Sequence, residues 1–297
     1  MNYHTPVLLN ECLEGLAIKP QGVYVDVTFG GGGHSRAIME KLTTGKLVAF
    51  DQDEDAAKNA WQDARFIFVQ QNFMHLKRYL RLYDVIPVDG ILADLGISSY
   101  QIDTAERGFS TRFDADLDMR MDRSEGITAS EVLNTYSAAE LQKVFSEYGE
   151  VRNSRTLANT IVEARQNDKI ATIAQFKTLL EPLSKGNPNK YLAQVFQALR
   201  IEVNKELEVL EQLLKDAVEV LKPKGRLAVI SYHSLEDRMV KNFIKAGNSS
   251  GVAEKDIYGN TSSPLKAVNK KPIEANAEEL KRNPRSRSAR LRIAEKL

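Results

Sequence analysis

Five short apolar runs punctuate this chain, at 23–27, 46–50, 66–70, 90–94 and 226–231. Each is close to continuously hydrophobic rather than alternating, which is how strands covered on both faces read. Helical patterns separate the first four runs at the spacing of βαβ units. The rhythm then breaks, because more than a hundred residues lie between Asp94 and Arg226, far beyond one crossover helix. That interval carries its own helix signals. Ser137-Ala-Ala-Glu140 is a capping box followed by Leu141, Val144, Phe145 and Tyr148 on one face, with Gly149 as a stop. Thr172-Ile-Ala-Gln175 is another, followed by Phe176, Leu179 and Leu180. The pattern predicts a helical domain over 105–203, inserted into an α/β domain built from 1–104 and 204–297. Over 204–221, Leu207, Leu210, Leu214, Ala217 and Leu221 resume a crossover helix that Pro223 and Gly225 end.

Composition places the chain among ordinary globular proteins. A lone cysteine, Cys12, excludes an internal disulfide and suits a reducing cytoplasm. The histidines, His4, His34, His75 and His233, are scattered without metal-ligand spacing, so no metal is expected. No apolar run reaches membrane-spanning length, and the N-terminus lacks the layout of a signal peptide. A cytoplasmic location is the expectation. Net charge is +1, which argues against non-specific coating of nucleic acid, but charge is polarised. From Lys281 onward there are seven basic residues against one acid, Glu295. Such a segment either neutralises phosphates or is a solvated, disordered tail.

Candidate chemistry concentrates at YVDVTFGGGGHS, residues 24–35. A strand carrying Asp26 breaks into Gly30–Gly33, and Ile38, Met39 and Leu42 then mark a helix. Strand, glycine turn and helix form the first half of a nucleotide-type site, where the backbone approaches a ligand and helix N–H groups face an anion. The dinucleotide fingerprint fits only in part, since Ser35 stands where its third glycine belongs. An S-adenosylmethionine (SAM) turn fits Asp26, Gly30 and Gly32, with Thr28 replacing its first glycine. Asp51 closes the next strand at the distance where an acid grips ribose hydroxyls, with Asp53 as an alternative; both cofactors have a ribose, so the turn alone leaves them open. In an open α/β sheet the loops Gly30–Ser35, Asp94–Gln101 and Ser231–Arg238 are expected at the carboxyl ends of the strands.

Longer motifs decide the family. HTPVLLNE (4–11), GGGGHS, DLGISSYQ (94–101), AERGFS (105–110), LDMRMD (117–122), FQALRIEVNKEL (196–207), ISYHSLEDR (230–238) and NPRSRSARLR (283–292) together span nearly the whole chain. The sequence strongly resembles the bacterial small-subunit ribosomal RNA methyltransferase H family, also called MraW. Tyr100 and Thr111 depart from the proline and phenylalanine usual there. The resemblance implies a class I SAM-dependent methyltransferase fold, Rossmann-like, with a mostly parallel seven-stranded sheet and the inserted helical domain engaging substrate. It implies methylation of the exocyclic N4 of a cytidine in the decoding region of 16S rRNA, with the small ribosomal subunit as partner. DNA is disfavoured, because Asp94-Leu95-Gly96-Ile97 stands where DNA amino-methyltransferases have a D-P-P-Y-like turn.

The same resemblance carries SAM contacts onto Gly32, Gly33, His34, Asp51, Phe73, Asp94 and Gln101. Asp94 either holds SAM, the first expectation, or accepts the amino hydrogens of the target. His233 either shapes the target pocket or packs inertly, while Ser234 is expected to cap the following helix with Asp237 at its third position. His34 and Phe73 have plain alternatives, an exposed ring and core packing. Arg107, Arg112, Arg120 and Arg123 interleave with Asp114, Asp116, Asp118 and Asp122 and read as internal pairs. Arg285, Arg287, Arg290 and Arg292 are the expected RNA contacts. Two rival functions stand beside the enzyme: a nicotinamide-dependent oxidoreductase and a non-catalytic ribosome-assembly factor retaining the fold.

Overall fold

The structure is a computed structural model that describes residues 6–252 and 263–297. His4 and Thr5 of the first motif lie outside the described residues. By its own contacts the chain divides into two units, Met1–Gly96 with Leu207–Leu297, and Ile97–Glu206.

The first unit holds β1 (Val23–Asp26), β2 (Lys46–Asp51), β3 (Phe66–Gln70), β4 (Val88–Asp94), β5 (Leu221–Ser231), β6 (Leu265–Ala267) and β7 (Arg290–Lys296). Among the described residues these form one sheet in the order β3-β2-β1-β4-β5-β7-β6. β1 to β5 are parallel, β7 is antiparallel to β5, and β6 is antiparallel to β7. This is the mostly parallel seven-stranded class I sheet. Successive strand residues feed opposite faces. Val25, Val48, Phe50, Ile91 and Val229 join Leu210, Leu214 and Ala217 on one side. Tyr24, Leu47, Ala49, Leu92 and Ile230 join Cys12, Leu16 and Ile38 on the other. Burial on both faces is why these strands read as unbroken apolar runs.

The crossover helix, Glu206–Val220, stops before Leu221, and Pro223 and Gly225 lie just past its end as expected. They sit inside β5, where pairing shifts between Val88–Leu221 and Gly90–Arg226 and Lys224 takes φ +64°. An irregularity of this kind is where a strand accepts proline. β6 and β7 are absent from the apolar-run reading. β7 reads R-L-R-I, with Leu291 and Ile293 buried in the core and Arg290 and Arg292 alternating with them. The basic C-terminal segment is therefore an ordered strand rather than a disordered tail.

The second unit is helical around Leu133, Phe145, Leu157, Ile161, Phe176, Val195 and Leu199. Both expected capping boxes form, at Ser137/Glu140 and Thr172/Gln175. Arg107, Arg112, Arg120 and Arg123 are engaged internally. Arg120 pairs with Asp118 at 2.7 Å, Arg112 with Asp103 at 2.9 Å, and buried Arg107 donates to the carbonyls of Arg120 and Met121. Among the described residues no helix is long and apolar enough to cross a membrane.

Candidate cofactor site

The order of the sheet reverses between β1 and β4, so crossovers leave in opposite directions there and open a crevice beyond the carboxyl ends. Asp26, Asp51 and Asp94 are the last residues of β1, β2 and β4. The turn after β1 is fixed by Asp26. Its buried carboxylate accepts the Ser35 hydroxyl at 2.6 Å and the Thr28 N–H at 3.1 Å. Burial pushes this carboxyl up, while the neighbouring His34 and the bonds from Ser35 and Thr28 pull it back. Asp26 thus shapes the turn from beneath.

Gly32 adopts φ +76°, a left-handed conformation that glycine takes without steric cost, and caps the helix Gly33–Lys41. A Cβ on Gly33 would lie 2.4 Å from Pro6 Cγ. The first intrahelical bond runs from Arg36 N–H to the Gly32 carbonyl at 2.9 Å, so the N–H groups of Gly33, His34 and Ser35 precede the ladder. This is the donor set that a helix start offers to a carboxylate or phosphate.

Asp51 accepts the Gly30 N–H at 2.7 Å and the Asp53 N–H at 2.9 Å, one on each oxygen. Each carboxylate oxygen keeps a further acceptor position. Burial pushes this carboxyl up to about 6, with the two N–H bonds working against the shift. The Asp53 side chain accepts the Asp55 N–H and caps helix Glu54–Ala57.

Asp94 is held from several sides. Its backbone N–H donates to Thr28 Oγ1 at 2.7 Å. Oδ1 accepts the Tyr232 hydroxyl at 2.7 Å, and Oδ2 lies 3.7 Å from His34 Nδ1. Burial pushes the carboxyl up, and His34 and the Tyr232 bond offset part of the rise. The His34 ring is buried rather than exposed, with Nε2 3.0 Å from the Val7 carbonyl. Nε2 must carry the proton to donate there, which leaves Nδ1 facing Asp94.

The remaining expected contacts are placed differently. Phe73 is half-buried at the start of the short helix Phe73–His75 and packs against the core. Gln101, in the helical unit, completes a capping box with Ser98, its Oε1 accepting the Ser98 N–H at 3.0 Å. His233 is buried at the cap of helix Ser234–Ala246, its Nε2 3.2 Å from Glu236 Oε1.

Two expectations are corrected here. Ser234 is not the cap: His233 occupies that position, and Glu236 turns back to accept the Tyr232 N–H at 2.9 Å. Asp237 is instead forked by Arg292 at 2.7 and 3.1 Å, both groups buried. Arg292 is thereby a structural partner and not a groove-facing cation. Arg290, exposed, leans toward the same Asp237 at 3.5 Å, Arg285 is half-buried and Arg287 is exposed. Tyr232 and Glu236 escaped the sequence reading; the glutamate at the third helical position of HSLE was the available signal.

The model of the MraW methylase family matches residues 1–297. Ribosomal RNA small subunit methyltransferase H of Phocaeicola vulgatus is 56% identical over 296 residues, covering 99% of this chain and 97% of its own. Its counterpart from Cytophaga hutchinsonii is 56% identical over 297 residues, covering 99% of each. Among solved structures, an rRNA methylase from Streptococcus thermophilus aligns over 100% of this chain and 99% of its own, at 14% identity and a TM-score of 0.41. With the family model spanning every residue and relatives sharing more than half their positions, this chain belongs to the MraW methylase family.

Proposed function

We propose that this protein transfers the methyl group of SAM to the exocyclic N4 of a cytidine in the decoding region of 16S rRNA, in the small ribosomal subunit of the cytoplasm. The observation that carries the reading is the set of Asp51, Asp94 and the Gly30–His34 turn at adjacent strand ends, in a chain more than half identical to proteins named ribosomal RNA small subunit methyltransferase H.

The residues fit the cofactor by chemistry. SAM has two ribose hydroxyls that donate, an ammonium and a sulfonium that are cationic, and a carboxylate that accepts. Asp51 has acceptor positions for the hydroxyls, Asp94 supplies negative charge, and the N–H groups of Gly33 and His34 supply donors. Phe73 would cover the adenine face. When bound, SAM supplies an electrophilic methyl group with a good leaving group.

An exocyclic amine on cytosine is a weak nucleophile because its lone pair is delocalised into the ring. The protein's work is then to align the amine with the methyl–sulfur axis and to accept its hydrogens as nitrogen pyramidalises. Asp94 first holds the cofactor and secondarily receives those hydrogens. His233 shapes the target pocket beside it. No general base is required, since the proton leaves readily after transfer. Reaching a stacked base costs a few kcal/mol of unstacking, which the exposed Arg287 and Arg290 would help repay.

Incubating the protein with methyl-labelled SAM and unmodified small subunits, followed by nucleoside mass spectrometry, tests the reading. Label in N4-methylcytidine is expected. Label in another nucleoside overturns the target, and no label with intact SAM binding favours the assembly-factor alternative.

A further inference from the structure

We propose that Tyr232 is a positioning residue for Asp94: its phenol hydroxyl locks one carboxylate oxygen so that the other, Oδ2, is the one presented to the ligand. The inference deepens the proposed function and rests on it.

Tyr232 follows β5 directly, at the mouth of the strand beside β4. Its backbone is pinned by the N–H bond to Glu236 Oε2 at 2.9 Å, and Glu236 is itself buried with its other oxygen 3.2 Å from His233 Nε2. Its ring lies across Gly96, where a Cβ would stand 3.6 Å from Tyr232 Cδ2. The hydroxyl then has a fixed position, 2.7 Å from Asp94 Oδ1. With Oδ1 taken and the Asp94 N–H given to Thr28, the carboxylate cannot spin about its last bond without breaking a charge-assisted hydrogen bond. Oδ2 faces His34 Nδ1 at 3.7 Å, beyond a direct hydrogen bond. A cationic or amine donor entering there completes the set.

The same bond sets when Asp94 is ionised. The groups that bear on it are His34 from the helix Gly33–Lys41, Asp26 from β1, Tyr232 and Glu236 around the end of β5, and Cys12 from the helix Leu9–Leu16. Burial, and then Asp26 and Glu236, disfavour its charge, while His34 and the Tyr232 hydrogen bond favour it. Burial and the adjoining carboxylate keep the Tyr232 phenol protonated, so it remains a donor throughout the working range. Removing that donor pushes the Asp94 carboxyl further up, and ligand capture then fails on the acid side first.

Tyr232→Phe is the test, read as SAM dissociation constant by calorimetry and as kcat and KM, each from pH 5 to 9. The expected result is an acid limb displaced to higher pH, with SAM binding on that limb weaker by up to about tenfold for each unit of displacement. The gap closes at pH 9, and the melting temperature with SAM absent stays near that of the parent. Superimposable profiles, or a loss of equal size at every pH, overturn the proposal. If Tyr232→Phe does not fold, 3,5-difluorotyrosine at position 232 serves, because a more acidic phenol donates more strongly and must move the limb to lower pH. A parent protein that methylates nothing would instead sink the proposed function, so the two failures are told apart.

Discussion

The Asp51 carboxylate accepts the Gly30 N–H at 2.7 Å and so ties the end of β2 to the first glycine of the turn after β1. The residue read as the ribose acceptor also braces the loop that would receive the rest of the cofactor. A change at Asp51 should act on both.

The pH dependence follows from the sign of its shift. Burial raises the Asp51 carboxyl to about 6 in the ligand-free protein. A raised carboxyl contributes its stability below the ordinary carboxylate range and loses it as pH rises through about 6. Ribose hydroxyls donate to the ionised form and reverse that preference. SAM affinity should therefore strengthen as pH rises from 5 to 7, by up to about tenfold per unit below 6. Asp51→Asn should bind weakly with a flatter profile. Calorimetry across this range decides, and a parent profile that is already flat sinks the idea.

Asp94→Asn separates the two roles of the residue. Asparagine keeps the shape but loses the charge that a cationic cofactor needs, so SAM binding is expected to weaken by about one to two orders of magnitude, the loss of a charge-assisted bond of roughly 1.5–3 kcal/mol. Unchanged SAM affinity with collapsed turnover, measured side by side, would move Asp94 from cofactor grip to acceptor chemistry.

How much of this was legible in the sequence depends on how local each cause is. β1 to β4 were readable because residues such as Val25, Phe50 and Ile91 are covered on both sheet faces. The glycine turn was readable because Gly32 and Gly33 answer to backbone geometry a few residues wide. β7 was not, since the arginines alternating with Leu291 and Ile293 mimic a solvated tail, and only the fold shows Arg292 meeting Asp237. Tyr232 was invisible for a similar reason: its partner Asp94 lies 138 positions away, and no spacing rule reaches that far. The contact-based boundaries fall at Gly96/Ile97 and Glu206/Leu207, whereas periodicity alone placed them at 104/105 and 203/204. Helical spacing reports which face is apolar, not which neighbours it meets.

Gly108 of the AERGFS motif gives a stability test confined to the helical unit. It adopts φ +74°, and a Cβ there would lie 2.6 Å from the Asp116 carbonyl oxygen and 2.9 Å from the Asp118 nitrogen. Both obstacles are backbone, so neither can swing aside. The left-handed conformation costs a non-glycine residue about 1–2 kcal/mol, and overpacking adds roughly 1–3 kcal/mol. Gly108→Ala should lower stability by at least about 2 kcal/mol in urea titration; a variant as stable as the parent would falsify the argument.

The basic C-terminal segment divides into structural and exposed arginines, and two substitutions should part them. Arg292→Met leaves Asp237 buried without its fork, and stranding one partner of such a pair costs about 3–5 kcal/mol. Its signature is a large fall in melting temperature, seen equally with RNA absent. Arg287 is exposed on the short helix Pro284–Ser288, so Arg287→Glu should leave the melting temperature nearly unchanged. If this segment docks on RNA, the reversal raises KM for small subunits, and removing one phosphate contact makes the salt dependence shallower by about one unit of slope. The opposite pattern, an intact KM and slope for Arg287→Glu, would confine the segment to closing the sheet and move the docking surface elsewhere on the protein.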